Sequence, residues 1–530
     1  MTRTDGVSVV VITYNDATHL PAAIESALAQ GEVVSEIVVV DDASTDETAQ
    51  VLSRWPRDRV RVVRRTTNSG GCGEPRNDGT AFAQSGWICY LDSDDVLPPG
   101  AVEALYRAAV DNDVDFVAGR CVRRELPEER DVAWHPHLFA TPGVYSIAER
   151  PETLWDTLAV NKLYRRSFLT ENRIQFTDGA AHYEDFPFTA KVYAAAGRFA
   201  VIDAPVYTWN VRRRTSKPSI SLRRDRIRNW QDRVRAHAEV VEIMRGTGDE
   251  HLVDAAERKF LEHDLALYLR DLHRQEEEYR NEWWEIAGRH LATFGVRAFV
   301  DATPSARWAA DVVRTRERPT ATARLAELAA DPPRLVPPYF GGPETPTWDD
   351  ERPAVPLSGF RSVPTAGLPI DVEASVSVTG ARLALDLQIA DLYGRISASG
   401  IAHVEIELRD RLGTTSRSRP ATVAAVAQDG FLHGRAVLDG GALRGLGAFS
   451  TWDIWAHVSF RDGSATYVRV RAAGGSGLAR HMVPDLRRAL LLVQPYRTAN
   501  HSLGVRVADG PRGAAAVATA RFRRRSGSRN

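Results

Sequence analysis

Trp87-Ile88-Cys89-Tyr90-Leu91-Asp92-Ser93-Asp94-Asp95 is the stretch on which the reading of this chain turns. Five mostly apolar residues describe a strand buried on both faces, and carboxylates follow abruptly where that strand must end. Clustered anions at a strand end repel one another unless a cation lies between them. Asp-x-Asp in that position suits a hard divalent ion, because Mg²⁺ or Mn²⁺ takes one or two carboxylates together with substrate phosphates. Asp and Ser are also ordinary turn residues, so the weight falls on the sequence around them.

That surrounding sequence alternates strand and helix signals. Val7 to Thr13 is a nearly continuous β-branched run, followed by Tyr14-Asn15-Asp16 and a helix carrying Leu20, Ile24, Ala27 and Leu28 at helical spacing. Glu36 to Val40 is a second strand, ending in Asp41-Asp42-Ala43-Ser44-Thr45-Asp46, and Val60 to Val63 is a third. Strands separated by helices imply βαβ units and a parallel sheet, in which ligands bind beyond the carboxyl ends of the strands. Thr13-Tyr14-Asn15, Asp41-Asp42 and Asp92-Ser93-Asp94 would therefore face one crevice.

The chain has 530 residues, too many for one core, with 43% hydrophobic and 26% charged residues, as in ordinary globular proteins. A formal net charge of −1 gives no global reason to expect a nucleic-acid partner. Basic charge is local, in Arg212, Arg213, Arg214, Lys217, Arg223, Arg224, Arg226 and Arg228, and again in Arg521 and Arg523 to Arg525. Such runs are solvated faces, or contacts to phosphate on a donor, a polymer or an anionic membrane. The three cysteines, Cys72, Cys89 and Cys121, have neither the number nor the spacing of a disulfide framework or zinc site. With no signal-peptide layout and no apolar run near the roughly 20 residues that span a bilayer, the expectation is a cytoplasmic protein, at most resting on a membrane.

Two nucleotide-binding alternatives fail on spacing. Gly70-Gly71-Cys72-Gly73 lacks the last glycine of a dinucleotide fingerprint, with Arg76 in its place, and no Gly-Lys-Ser/Thr of a P-loop occurs. What remains is a mononucleotide crevice with a metal. The ordered segments Val9-Val10-Val11-Ile12-Thr13-Tyr14-Asn15, Ile24-Glu25-Ser26-Ala27-Leu28, Ile37 to Asp46, Asn68-Ser69-Gly70, Arg76-Asn77-Asp78-Gly79 and Leu91 to Asp95 resemble the inverting glycosyltransferases of family 2. The resemblance implies an α/β GT-A nucleotide-diphospho-sugar transferase domain and a UDP-sugar donor.

It also implies roles. Thr13, Tyr14, Asn15, Asn68 and Ser93 would line the nucleotide-sugar site, with Asp41 or Asp42 accepting from base or ribose. Asp92 would lie near ribose and metal, and Asp94 would ligate Mn²⁺ or Mg²⁺ directly. Arg76 would aim a planar donor fork at the diphosphate. Asp46 reads as a helix cap rather than a ligand. His182-Tyr183-Glu184-Asp185-Phe186-Pro187 resembles the family's Glu-Asp segment, which makes Asp185 the general base and Glu184 a supporting or acceptor-orienting group. Burial beside aromatic residues and an anionic neighbour both raise such a carboxylate's pKa toward a useful value. His182 reads as structural or acceptor-facing. Arg212 to Ser221, including Arg213 and Ser219, resembles a lid over the diphosphate. Relatives place a histidine hereabouts; no histidine occurs between His182 and His237, which leaves the third protein ligand open.

The expected organisation is a catalytic domain at 1–222, a helical linker domain at 223–330 without chemistry of its own, a Pro-rich linker at 331–358 and an immunoglobulin-like β-sandwich at 359–525. The linker rests on Pro332, Pro333, Pro337, Pro338, Pro343, Pro346, Pro353 and Pro356. The sandwich rests on alternation at Val404, Ile406 and Leu408 and from Trp452 to Phe460, with a hairpin turn at Asp462-Gly463. This order resembles bacterial wall teichoic acid glycosyltransferases, which add N-acetylglucosamine to poly(ribitol phosphate). By that resemblance the acceptor is an anionic polymer, and the C-terminal domain binds polymer or builds a homo-oligomer. A capsule or other surface polysaccharide transferase stands as the alternative, and a non-catalytic glycan-binding protein as the alternative of another class. Trp455 and His457, opposite Ile454 and Val458, would serve a lectin-like platform or a subunit contact.

Overall fold

The computed structural model describes residues 6–127, 129–180, 182–212, 223–317, 322–330, 333–342, 344–352, 354–379, 382–410, 416–424, 429–439, 443, 449–474, 478–485, 489–498 and 501–509. Arg213 and Ser219, the rest of the expected lid, three of the linker prolines and the basic C-terminal run lie outside them. The chain divides into two compact units, Met1–Arg314 and Thr315–Asn530; the helices from Ile227 to Asp301 belong to the first, whereas the helix Thr322–Leu328 belongs to the second.

In the first unit the elements run β1 (Val7–Thr13), α1 (Leu20–Leu28), β2 (Val34–Asp41), α2 (Thr48–Leu52), β3 (Val60–Arg64), α3 (Gly73–Phe82), β4 (Trp87–Asp92) and α4 (Ala101–Asp111). They continue with β5 (Phe116–Leu126), β6 (Arg130–Ala133), β7 (Gly143–Tyr145), β8 (Lys162–Arg165), α5 (Arg166–Glu171), α6 (Asp185–Ala195) and β9 (Phe199–Arg212). The sheet order is β3-β2-β1-β4-β8-β5-β9-β7, with β6 on β5. β1 is buried along its whole length, as its unbroken apolar run requires. The parallel register sets Thr13 opposite Asp41 and Ile12 opposite Asp92. Three polar strand ends thus reach one sheet edge, as the alternation predicts. α3 lies close on β1 because residue 79 is glycine: a Cβ there would stand 2.2 Å from Val10 Cγ1.

The helical part comprises α7 (Ile227–Gly246), α8 (Glu250–Lys259), a π-helical turn (Phe260–Leu265), α9 (Ala266–Leu272), α10 (Glu277–Leu291), α11 (Val296–Asp301) and α12 (Pro304–Thr315). Trp230 and Trp283 are fully buried and stack at 5.1 Å, which ties α7 to α10. No helix among the described residues is long and apolar enough to cross a membrane.

The second unit is strand-rich. Its strands are β10 (Val372–Thr379), β11 (Arg382–Ala390), β12 (Ile401–Asp410), β13 (Ser416–Val423), β14 (Phe431–Asp439), β15 (Phe449–Phe460), β16 (Ala465–Arg469), β17 (Arg471–Ala472), β18 (His481–Asp485), β19 (Ala489–Arg497) and β20 (Leu503–Asp509). The sequence reading of a sandwich is met by one curled, sandwich-like sheet, β17-β10-β11-β14-β13-β12-β15-β20-β19-β18, with β16 on β15. The polar strand β13 pairs with β12 on one side and β14 on the other, so the layers join through it. The hairpin at Asp462-Gly463 forms between β15 and β16, with Gly463 at φ 84°, a conformation that favours glycine. On β15, Trp455 lies 4.6 Å under the Arg409 guanidinium, and His457 stacks on half-exposed Tyr467 at 4.4 Å.

Candidate active site

β4 brings Asp92 to the sheet edge, and the turn after it carries Ser93, Asp94 and Asp95. Asp95 holds that turn in place: its carboxylate accepts from Tyr207 Oη at 2.7 Å and from the Asn210 backbone N–H at 2.7 Å, both on β9. Burial and the neighbouring Asp94 and Asp92 push its pKa well up. Ser93 donates to Asp16 at 2.8 Å, and Asp16 faces His19 at 2.6 Å. Asp94 meets Arg212, the last residue of β9, through both its carbonyl and its carboxylate, the latter at 3.2 Å. The surrounding protein and Asp92 push the Asp94 carboxyl up to about 6 against the pull of Arg212.

Arg76 organises the centre. It lies 3% exposed on α3, and its Nη2 donates to Asp92 Oδ1 at 2.9 Å. Its Nη1 donates to Glu184 Oε1 at 2.9 Å and to Asp185 Oδ1 at 2.6 Å. The fork expected on phosphates is thus spent on three carboxylates, because a buried guanidinium needs anionic partners of its own. Asp185 begins α6 and also accepts the Ala159 backbone N–H at 3.1 Å. Buried Lys162 pins the turn that offers this N–H, donating to Asp156 Oδ2 and the Leu158 carbonyl, each at 2.6 Å. Burial and the Asp185 charge push Glu184 up to about 7. Asp185 is also raised by burial, but Arg76 and the Ala159 N–H pull it back. Burial and mutual repulsion thus raise the proton affinity of both carboxyls, while Arg76 and the Ala159 N–H favour the ionised form at Asp185.

The remaining sequence candidates are distributed along the same edge. Thr13 Oγ1 and Asp41 Oδ2 are buried without a hydrogen-bond partner among the described residues, although Arg64 Nε stands 3.4 Å from Asp41. Asp42 is committed to the chain, accepting from Asn68 Nδ2 at 2.8 Å, Ser69 Oγ at 2.8 Å and the Ser69 N–H at 3.1 Å, with Arg65 at 2.9 Å. Asn68 is used in the same turn. Asn15, at φ 50°, fastens its loop through Thr45 at 2.7 Å, whereas Tyr14 is half exposed. Asp46, one residue before the N-cap position of α2, accepts from the Thr48 N–H at 3.0 Å and from the Ala17 N–H at 3.2 Å. His182 lies 2.7 Å from Asp232 of α7. The sequence reading missed Tyr207, Asn210, Lys162 and Ala159, which are distant in sequence from the carboxylates they serve and carry no local motif.

The donor set at the β4 end is hard oxygen: Asp92, Asp94 and, through Ser93, Asp16. Burial first, and then the Asp92 and Asp16 carboxylates, raise the proton affinity of Asp94, and a cation at the turn would offset that mutual repulsion. Among the described residues, no cluster of three or more His, Cys, Asp and Glu side chains is preassembled to hold a metal. Two carboxylates fit an ion that takes its other ligands from a diphosphate and water.

The model of the glycosyl transferase family 2 matches residues 8–172. These residues form a glycosyl transferase family 2 domain. Arg76, Asp92 and Asp94 lie inside it, and Glu184 and Asp185 follow it. The family 2 region is 34% identical over 216 residues to the succinoglycan biosynthesis protein ExoO of Rhizobium meliloti, covering 39% of this chain and 61% of that protein. It is 31% identical over 209 residues to the poly(ribitol-phosphate) β-N-acetylglucosaminyltransferase TarS of Staphylococcus aureus, covering 39% of this chain and 35% of that one. The matches thus span less than two thirds of either relative. The crystal structure of S. aureus TarS superposes over 95% of this chain and 85% of its own, at 18% identity and a TM-score of 0.55. TarS 1–349 in complex with UDP-GlcNAc superposes over 66% of this chain at 20% identity and a TM-score of 0.53. These likenesses establish a shared fold.

Proposed function

We propose that this protein is a metal-dependent inverting glycosyltransferase that moves a sugar, N-acetylglucosamine in the leading reading, from a UDP-sugar to a hydroxyl of a cell-surface polymer such as poly(ribitol phosphate). The observation that carries the reading is Arg76, which joins Asp92 of the donor side to Glu184 and Asp185 of the acceptor side in one buried network. Asp185 takes the proton of the acceptor hydroxyl as its oxygen attacks the anomeric carbon from the face opposite the diphosphate. The bond to UDP breaks as the new C–O bond forms, so the configuration inverts. Glu184 orients the acceptor oxygen or the base. Asp94 and Asp92 would hold Mn²⁺ or Mg²⁺, which when bound supplies Lewis-acid charge to the leaving diphosphate. Thr13 and Asp41, with unspent hydrogen-bonding atoms at the sheet edge, suit the nucleoside.

Three unpaired cysteines, two of them buried, suit a reducing cytoplasmic setting at the inner face of a membrane. The second unit would bind the polymer or join copies of the chain. The 34% identity to a succinoglycan biosynthesis protein favours a second reading, a polysaccharide acceptor on the same catalytic residues. The test is acceptor-dependent UDP release from UDP-N-acetylglucosamine with Mn²⁺, run with poly(ribitol phosphate) and with an exopolysaccharide repeat oligosaccharide, followed by NMR of the product anomer. Turnover with the first supports the leading reading, and turnover with the second alone supports the other. UDP binding without turnover across donors and acceptors would leave the non-catalytic binding protein. A retained anomeric configuration sinks the inverting mechanism.

A further inference from the structure

The helical part of the first unit, which shows no chemistry in its sequence, closes around the segment that carries the acid pair. Tyr183 and Phe186 flank Glu184 and Asp185, and their rings lie 5.2 Å apart. The Arg233 guanidinium of α7 stands 4.7 Å from the Tyr183 ring and 5.2 Å from the Phe186 ring. Lys259, the last residue of α8, places its ammonium 4.4 Å from the Phe186 ring. Both cations share fully buried Asp264, which accepts from Arg233 Nε at 2.8 Å and Lys259 Nζ at 2.9 Å. Tyr183 donates to Asn229 at 2.8 Å and lies 3.1 Å from the Tyr268 hydroxyl.

Two backbone features belong to this arrangement. Tyr183 has φ 65°, left-handed for a bulky side chain, a conformation that persists when its surroundings over-determine it. Asp264 lies in the π-helical turn Phe260–Leu265. A π turn brings residues five apart onto one face, where an α-helix does so for residues three or four apart. Lys259 and Asp264 are five apart, so the turn lets them pair while the Lys259 ammonium reaches the Phe186 ring. A buried ion triad is a weak stabiliser, because desolvating its charges offsets most of their attraction. Its geometric consequence is specific: two cations fix two aromatic rings on either side of the acid pair.

We propose that the Arg233–Asp264–Lys259 triad is a clamp that positions Asp185 for proton abstraction by holding Tyr183 and Phe186. The three are positioning residues, and the proposal rests on Asp185 being the base. Lys259→Met removes one cation at nearly constant volume and leaves Asp264 paired with Arg233. In this variant UDP affinity, measured by calorimetry, stays at the wild-type value, while kcat for sugar transfer falls about 10- to 100-fold, as a small misplacement of a reacting group does. Hydrogen exchange quickens over residues 182–190 and not over residues 92–95. Lys259→Arg restores kcat. Should Lys259→Met fail to fold, Tyr183→Phe removes a single hydroxyl from the same clamp and is read in the same way. Wild-type kcat with wild-type exchange at 182–190 overturns the proposal, as does a uniform rise in exchange with loss of UDP binding. If the wild-type protein itself transfers no sugar, the base assignment falls, whereas the exchange pattern still decides the clamp.

Discussion

Arg76 Nη1 donates to Asp185 Oδ1 across 2.6 Å, joining residues 109 positions apart in the sequence. The same guanidinium holds Asp92 and Glu184, so one cation compensates three carboxylates at 3% exposure. Arg76→Met leaves those anions uncompensated. The expected loss of stability is about 3–5 kcal/mol, the usual effect of removing one partner from a buried ion network. Arg76→Lys keeps the charge but loses the fork, and is expected to fold with kcat reduced on the order of 10²-fold. Denaturant titration together with initial rates checks both. An Arg76→Met protein of wild-type stability would contradict the network.

The raised Glu184 pKa sets a pH dependence. Its folded value of about 7 exceeds the ordinary 4.5, so between those values the native state holds a proton that the unfolded chain has released. The associated stability is complete below the unfolded value and is lost as pH rises through 7. Relative to Glu184→Gln, the wild type should lose on the order of 1–3 kcal/mol between about pH 5 and pH 8. Denaturation midpoints across that range measure it, and a wild type that gains on the variant over the same window would refute the assignment.

Close packing of α3 on β1 makes Gly79 a sensitive position. A methyl group at residue 79 would stand 2.2 Å from Val10 Cγ1, so helix or strand must shift. Gly79→Ala should destabilise by about 1–3 kcal/mol and lower kcat, since Arg76 lies one turn earlier on the same helix. Thermal unfolding and transfer rates would show the two effects together; a variant with neither means α3 moves freely on the sheet.

Asp94 is the residue through which the proposed metal dependence is tested. Asp94→Asn removes a carboxylate from the β4 turn but leaves Asp95 to hold the turn through Tyr207 and Asn210. The Mn²⁺ concentration giving half-maximal rate should rise about 100-fold or more, with the melting temperature in the absence of metal little changed. An unaltered Mn²⁺ titration would remove Asp94 from the metal site.

The strand ends were legible because their signals are local. An unbroken apolar run followed by Asp-x-Asp marks β4 and its turn, and Asp462-Gly463 between alternating strands marks the β15–β16 hairpin. The partner of Arg76 was not legible: its contacts span 16, 108 and 109 positions, and a guanidinium that prefers phosphate in a motif prefers whatever anions burial gives it. Tyr207 and Asn210 escaped for the same reason, since a tyrosine and an asparagine on a strand carry no mark of the aspartate they will meet. The helical part read as packing alone because cation–ring contacts and a π turn are products of tertiary fit. One sheet rather than two separate layers follows from β13, whose polar sequence gives no sign that it pairs on both edges.

The central claim is that Asp185 removes the acceptor proton, and single-turnover transfer by Asp185→Asn tests it most directly. Both proteins would be loaded with UDP-N-acetylglucosamine and Mn²⁺, mixed with whichever acceptor the wild type uses, and followed by product formation. The account predicts unchanged UDP affinity with transfer reduced at least about 10²- to 10⁴-fold, the range that general-base catalysis contributes. Transfer by Asp185→Asn at the wild-type rate would contradict it.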